Sequence, residues 1–182
     1  FMLGSESIIR FMQCAGELYM RIKKVGVIAN IAKEQSPEYT LRLRDWIMGQ
    51  GLEVFLEEQI AGKIGEAKGL EMRELASQVD ILVILGGDGT ILRTARAVVG
   101  YDIPLLGINL GKFGYMTEVN LNEMESVLKV ILQGEYQTEK RMMLDVAVNG
   151  RGEPLEGRAV LNDVVINRGN LSRIVEMETA VD

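Results

Sequence analysis

A glycine-rich turn that carries one carboxylate is the stretch of this sequence best suited to chemistry. Gly86-Gly87-Asp88-Gly89-Thr90 directly follows the apolar run 81–85 and precedes a helical pattern. Such a turn presents backbone N–H groups beside the positive end of a helix dipole, which suits phosphate. Because a carboxylate among these amides repels an anion, we interpret Asp88 as the acceptor of a proton from a substrate hydroxyl or as a residue that helps to hold Mg²⁺. The alternative is that Asp88 only caps the helix.

A second glycine-rich loop runs from Asn109 to Glu118, again after an apolar run. Its glycines allow close backbone approach, and the rings of Phe113 and Tyr115 offer faces on which a base can stack. Arg93, on the first turns of the helix after Asp88, could reach a phosphate or could simply face solvent. Two such loops at one edge of a sheet predict a crevice, whereas the structural alternative is a tight loop plugged by an aromatic ring.

A third candidate is the polar pair Asn162-Asp163 inside the apolar stretch 159–166. Two polar side chains in a buried strand cost about 1–3 kcal/mol each unless partners satisfy them. An amide suits the edge of a base and a carboxylate suits a ribose diol, so a nucleotide would provide such partners. A polar pair at the edge of a sheet is the alternative.

The elements that must position these residues alternate between strand and helix in the first part of the chain. Short apolar runs predict strands, amphipathic stretches predict helices between them, and the glycine-containing segment 57–69 reads as a loop of low order. The predicted strands are 25–29, 52–56, 81–85 and 103–108, and the predicted helices are 37–50, 70–78 and 90–99. This alternation is typical of a doubly wound parallel α/β sheet of the Rossmann-like type.

The pattern changes near Asn120. A helix is predicted over 121–134, with Asn122 as its N-cap, and it is followed by β-type segments at 136–148, 157–167 and 172–181 with a hairpin signal at Asn149-Gly150. We therefore predict three parts: a poorly ordered leader over 1–20, an α/β nucleotide-binding domain over 21–120, and the start of an antiparallel β-sandwich over 121–182. The second domain begins near residue 121 or shortly after the helix.

Composition restricts the function further. The net charge of −6 disfavours a general nucleic-acid or membrane-surface binder, and the single cysteine, Cys14, disfavours a disulfide framework and fits a reducing cytoplasm. The chain has no histidine, so Ser–His and Cys–His nucleophile pairs and the usual zinc sites are excluded. We predict no protein metal site, and carboxylates, lysines or tyrosines must do any acid–base work.

Together, the turn at 86–90, the loop at Gly111 to Tyr115 and Leu161-Asn-Asp-Val-Val-Ile166 resemble bacterial NAD kinases over about residues 22 to 182. The resemblance implies transfer of a phosphoryl group from ATP, or from polyphosphate, to the adenosine 2′-hydroxyl of NAD, with Mg²⁺ bound together with ATP. It also implies a homo-oligomer, a dimer or tetramer, when the protein is full length. The family continues past the end of this chain, so we expect a sequence truncated at its C-terminus.

The resemblance also implies roles for particular residues. Asp88 is the proton acceptor and, with Gly89, contacts the dinucleotide, and Tyr115 lies in the loop beside it. The remaining expected ligand contacts are Arg93, Asn162, Asp163 and Arg173. Two other interpretations remain open at this point: a lipid kinase of the diacylglycerol or sphingosine type, which carries a similar glycine turn, and an inactive nucleotide-binding fragment.

Overall fold

A computed structural model of the chain describes residues 10–13, 22–111, 114–117, 119–148, 155–161, 164–165, 178 and 180. The strands are β1 (Arg10–Gln13), β2 (Lys24–Ala29), β3 (Glu53–Leu56), β4 (Ile81–Gly86), β5 (Leu105–Asn109), β6 (Val119–Asn120), β7 (Gln137–Lys140), β8 (Leu144–Val148) and β9 (Leu155–Val160). The α-helices are α1 (Ser36–Gly49), α2 (Glu58–Ile64), α3 (Met72–Gln78), α4 (Asp88–Ala97) and α5 (Met124–Leu132), the last preceded by a 3₁₀ turn at Leu121–Glu123.

The main sheet has the strand order β3-β2-β4-β5-β1-β7, with β6 beside the end of β5. The strands β3, β2, β4, β5 and β6 are mutually parallel, and β4 lies between β2 and β5. The chain winds from β2 outward to β3 in one direction and from β4 to β5 in the other. The switch point therefore lies between the carboxyl ends of β2 and β4, the place where doubly wound sheets bind ligands. The predicted α/β class is confirmed.

Both faces of the central strands are buried, which explains their uninterrupted apolar sequence. Along β4, Val83 and Leu85 point into one apolar cluster, while Leu82 and Ile84 point into the other. The first cluster takes its helical side chains from α1, α2 and α5, and the second takes them from α3 and α4. The result is a three-layer α/β/α arrangement in which α4 is pressed against the sheet directly behind the glycine turn.

Two local predictions were wrong. The segment 57–69 contains helix α2, which buries Ile60 and Ala61 and ends at Gly65 in a left-handed conformation. A helix this short is stabilised by tertiary burial rather than by the helix propensity of its residues. The glycines of the segment favour a loop, so the sequence pattern did not predict the helix. The N-cap expected at Asn122 is also displaced: Asn120 and Glu123 form a capping box around the 3₁₀ turn.

Two elements, β1 and α5, lie near the predicted limits of the first domain. Four residues of the predicted leader form β1, which pairs with β5 and β7. Helix α5 places Met124, Leu128 and Ile131 in the core beside the sheet. The division of the chain into domains stays a prediction.

A separate two-stranded antiparallel sheet follows, in which β8 pairs with β9 and Leu144 lies opposite Val160. This pairing agrees with the predicted start of an antiparallel domain. The turn at Asn149-Gly150 and the strand predicted over 172–181 lie outside the described residues.

Candidate functional site

Asp88 is the first residue of α4, and Gly87 is its N-cap in an extended conformation. The half-buried carboxylate of Asp88 turns across to the second glycine-rich loop. One oxygen accepts a hydrogen bond from the backbone N–H of Tyr115 at 2.7 Å, and the other accepts one from the N–H of Met116 at 3.0 Å. The carboxylate thus joins the two loops. A carboxylate offers about four acceptor positions, so each oxygen keeps one for a further donor.

The second loop passes so close to Asp88 that only glycine fits at Gly114. A Cβ atom added there would overlap the Asp88 carboxylate. The loop is fixed by its own hydrogen bonds: the N–H of Gly114 donates to the buried Thr117 hydroxyl at 3.3 Å, and the N–H of Gly111 donates to Asn109 Oδ1 at 2.8 Å. Asp88 therefore meets a preorganised backbone.

A cleft of about 360 Å³ lies at the switch point of the sheet. Its walls come from the loop after β2, from the first turn of α2, and from the glycine turn and first turns of α4. The lining residues are Asn30, Ile31, Lys33, Gln59, Gly87, Gly89, Thr90 and Arg93. The two sequence neighbours of Asp88, Gly87 and Gly89, line this cleft, while the Asp88 carboxylate turns to the second loop.

The cleft carries positive charge on two of its walls, in keeping with an anionic ligand. Lys33 lines it from the β2 side, and a Cβ atom added to Gly111 would lie 3.6 Å from Lys33 Nζ, so this ammonium also approaches the second loop. Arg93 lines it from α4, and its Nη1 donates a hydrogen bond to Gln59 Oε1 at 3.2 Å.

A buried carboxyl group lies at the start of α2, the helix that carries Gln59. Glu57, at the N-cap of α2, is 2% exposed, and its Oε2 has no hydrogen-bond partner among the described residues. Burial raises the pKa of Glu57 above its usual value, while the positive charge of Arg93 and the backbone N–H groups of Ile60 and Gln59 oppose that rise.

A second cleft, of about 490 Å³, opens at the carboxyl ends of β5 and β6. It shares three residues with the second loop, and its other lining residues come from the start of α1, from the end of β6 and from the turn before α5. The lining residues are Gln35, Tyr39, Asn109, Leu110, Gly111, Asn120, Leu121, Asn122 and Glu123. This second cleft therefore lies beside the second glycine-rich loop.

The predicted site residues divide into two groups. Gly89 and Arg93 line the cleft at the switch point, and Asp88 accepts a hydrogen bond from the backbone N–H of Tyr115, a residue that is 82% exposed. Asn162, Asp163 and Arg173 lie outside the described residues, so their part in the site stays a prediction.

Sequence reasoning missed the wall of the cleft opposite α4. Asn30 and Lys33 follow the first strand of a parallel sheet, and that position alone could have pointed to them, because ligands gather at the carboxyl ends of such strands. Gln59 was hidden because its helix was read as a loop.

The described part of the chain contains no cluster of three or more histidine, cysteine, aspartate or glutamate side chains able to hold a metal ion. Nor does any helix within it have the length and apolar character to cross a bilayer.

The fold and the site define a class: a doubly wound α/β domain with a glycine-rich turn and a cationic cleft at its switch point. Residues 25–136 match the family model for the ATP-NAD kinase N-terminal domain, and the chain belongs to that family. The resemblance found in the sequence is thereby confirmed.

Relatives named NAD kinase agree with this assignment. The chain is 39% identical to one from Geotalea daltonii, 41% identical to one from Syntrophotalea carbinolica and 42% identical to one from Natranaerobius thermophilus. Each match covers 88% of this chain but only 56–57% of the relative, so the chain spans a little over half of their length. The structure is similar to that of a yeast NADH kinase complexed with NADH, with a TM-score of 0.63 and 15% identity over 85% of this chain and 53% of that one, which supports the fold.

Proposed function

We propose that this chain is the nucleotide-binding part of an NAD kinase, which phosphorylates the adenosine 2′-hydroxyl of NAD with ATP or polyphosphate to give NADP. Family membership and the NAD kinase relatives support the reaction. One structural observation carries the assignment of the site: the second loop holds the Asp88 carboxylate, and the residues before and after Asp88 line the cationic cleft.

In this proposal the cleft receives the phosphate groups of the donor. The backbone N–H groups at the start of α4, together with Lys33 and Arg93, bind the phosphate oxygens and orient the terminal phosphoryl group. Phosphoryl transfer depends chiefly on positioning and on neutralising charge, so a site built from amides and cations is adequate.

NAD occupies the opposite side of Asp88. The carboxylate, fixed by the N–H groups of Tyr115 and Met116, accepts the proton of the 2′-hydroxyl as that oxygen attacks the terminal phosphoryl group. The bond from this group to the rest of the donor breaks, and ADP or the shortened polyphosphate leaves. Gly89 and the exposed ring of Tyr115 contact the dinucleotide, and Asn162, Asp163 and Arg173 complete its site.

The donor set fits Mg²⁺ that arrives with ATP. Mg²⁺ is commonly held by one or two carboxylates, water and substrate phosphates, and the described residues provide Asp88 at the edge of the cleft without a larger acidic cluster. When bound, the ion neutralises charge on the phosphate groups. In the full-length protein we further expect cytoplasmic localisation and a homo-oligomer, with NAD and ATP as the binding partners.

The test is a direct assay of the full-length protein. Incubation with NAD, ATP and Mg²⁺, followed by coupled reduction of NADP, should yield NADPH in proportion to enzyme concentration. A second reaction with polyphosphate in place of ATP identifies the donor. Absence of NADP with both donors would refute the proposed reaction.

A further inference from the structure

Arg93 is held from outside its own helix. It is half-buried on α4, and the hydrogen bond from its Nη1 to Gln59 Oε1 spans the cleft to α2. The arginine side chain is long and has several rotatable bonds, and ordering a side chain of this kind costs about 1.5–2 kcal/mol in lost conformational entropy. A fixed acceptor on the facing wall reduces that cost before a ligand arrives.

Gln59 is well placed to serve as a fixed acceptor. It lies in the first turn of α2, whose start is anchored by hydrogen bonds from the N–H of Glu57 to the Val27 carbonyl at 3.0 Å and from the N–H of Glu58 to the Leu70 carbonyl at 3.0 Å. The helix is further fixed by the complete burial of Ile60. Although the Gln59 side chain is exposed, the start of its helix is hydrogen-bonded to β2 and the helix is packed into the core.

The chemistry of the amide matters as much as its position. A neutral amide oxygen orients the guanidinium without cancelling its charge, so the remaining N–H groups and the full positive charge stay available to phosphate. A carboxylate at the same position would hold Arg93 more strongly but would also repel the anion. Glutamine therefore fits a residue that orients a cation for a phosphate ligand.

On these grounds we infer that Gln59 is a positioning residue, which holds the Arg93 guanidinium over the cleft to meet the phosphate groups of the phosphoryl donor. This inference rests on the proposed function for the identity of the donor. The positioning of Arg93 by Gln59 applies to any polyphosphate that binds in the cleft. It assigns a role to α2, a helix that supplies none of the expected ligand contacts.

The experiment compares Gln59→Leu, Gln59→Glu and the matched control Gln78→Leu in the full-length protein. Gln78 is also an exposed helical glutamine with a side-chain hydrogen bond, from its Nε2 to Glu74 Oε1 at 3.1 Å, but it lines neither cleft. Two readouts are used: the KM values for ATP and NAD, and the Kd of inorganic tripolyphosphate from calorimetry.

Gln59→Leu should raise the KM for ATP and the Kd of tripolyphosphate by about 3- to 10-fold, the loss expected for one oriented hydrogen bond. The KM for NAD should change less than about twofold, and Gln78→Leu should match the wild type in every readout. Gln59→Glu should also weaken tripolyphosphate binding, because the added charge outweighs the retained acceptor.

The deciding comparison is made in the Arg93→Ala background. If Gln59 acts through Arg93, Gln59→Leu should then have no further effect on the Kd of tripolyphosphate. If Gln59→Leu weakens tripolyphosphate binding equally in the Arg93→Ala background, Gln59 contacts the ligand itself. If Gln59→Leu does not weaken binding in the wild-type background, Gln59 neither contacts the ligand nor positions Arg93. Either result overturns the inference. A wild-type protein that binds tripolyphosphate but does not phosphorylate NAD would refute the proposed reaction only, leaving the binding comparison to decide on Gln59.

Discussion

At the scale of single residues, the site depends on how closely two backbones approach one carboxylate. Asp88 does not cap its own helix; both of its oxygens bind N–H groups of a loop more than twenty residues away in the sequence. The glycine spacing of the two loops indicated a crevice in the sequence. It could not show that Asp88 itself holds the loops together, because that contact depends on the register of β4 against β5.

Gly114→Ala tests this close approach. The new methyl group would displace the Asp88 carboxylate or the loop, and a misplacement of about 1 Å can reduce turnover by about a hundredfold. We expect kcat/KM for NAD to fall by about 10- to 100-fold. Gly49→Ala is the control, since a Cβ atom there meets no atom within 4 Å. Equal activity of the two variants would show that the contact has no functional weight.

The raised pKa of Glu57 predicts that the stability of the folded protein depends on pH. Its pKa is raised by burial, so the folded protein binds a proton more tightly than the unfolded chain does, and stability falls as the pH rises through the folded pKa. Glu57→Gln removes this titration. Its Tm should exceed that of the wild type at pH 7, and the difference should shrink towards pH 4.5, the ordinary pKa of the group.

Thermal unfolding across that pH range measures the effect of Glu57→Gln. Exposed Glu58, which is next in the sequence and exerts only a weak charge effect on Glu57, provides the control as Glu58→Gln. A Tm difference that is constant with pH, or that grows as the pH falls, would contradict the prediction.

At the scale of elements, the uninterrupted strands and the amphipathic helices were readable from the sequence, whereas α2 was not. Strands β2 and β4 are buried on both faces, so their apolar runs carry a strong signal. Helix α2 spans only Glu58–Ile64 and depends on contacts that are distant in sequence. The local sequence pattern therefore could not predict that Gln59 lines the cleft.

The packing of α4 against the sheet can be tested by substituting Gly107. A Cβ atom there would overlap Ile91 Cδ1, so β5 and α4 approach each other at this point. Gly107→Ala should destabilise the fold by about 1–3 kcal/mol through overpacking. Adding Ile91→Val, which removes the overlapping methyl group, should recover most of that loss in chemical denaturation. A double variant no more stable than Gly107→Ala alone would refute this packing account.

At the scale of the whole molecule, the chain combines an α/β layer with the beginning of an antiparallel sheet. The α/β class was predicted from the alternation of strand and helix patterns, and the family was predicted from three motifs taken together, at 86–90, 111–115 and 161–166. The place of β1 in the sheet was not predicted, since β1 joins it between β5 and β7 through pairings that no local pattern encodes.

The central claim is that Asp88 accepts the proton of the NAD 2′-hydroxyl, and Asp88→Asn tests it most directly. The variant keeps the size of the side chain but loses its basicity, so kcat for NADP formation should fall by about 10²- to 10⁴-fold while tripolyphosphate binding to the cleft persists. The measurement is the single-turnover rate of the full-length protein at saturating NAD and ATP. A rate within about threefold of the wild type would contradict the account.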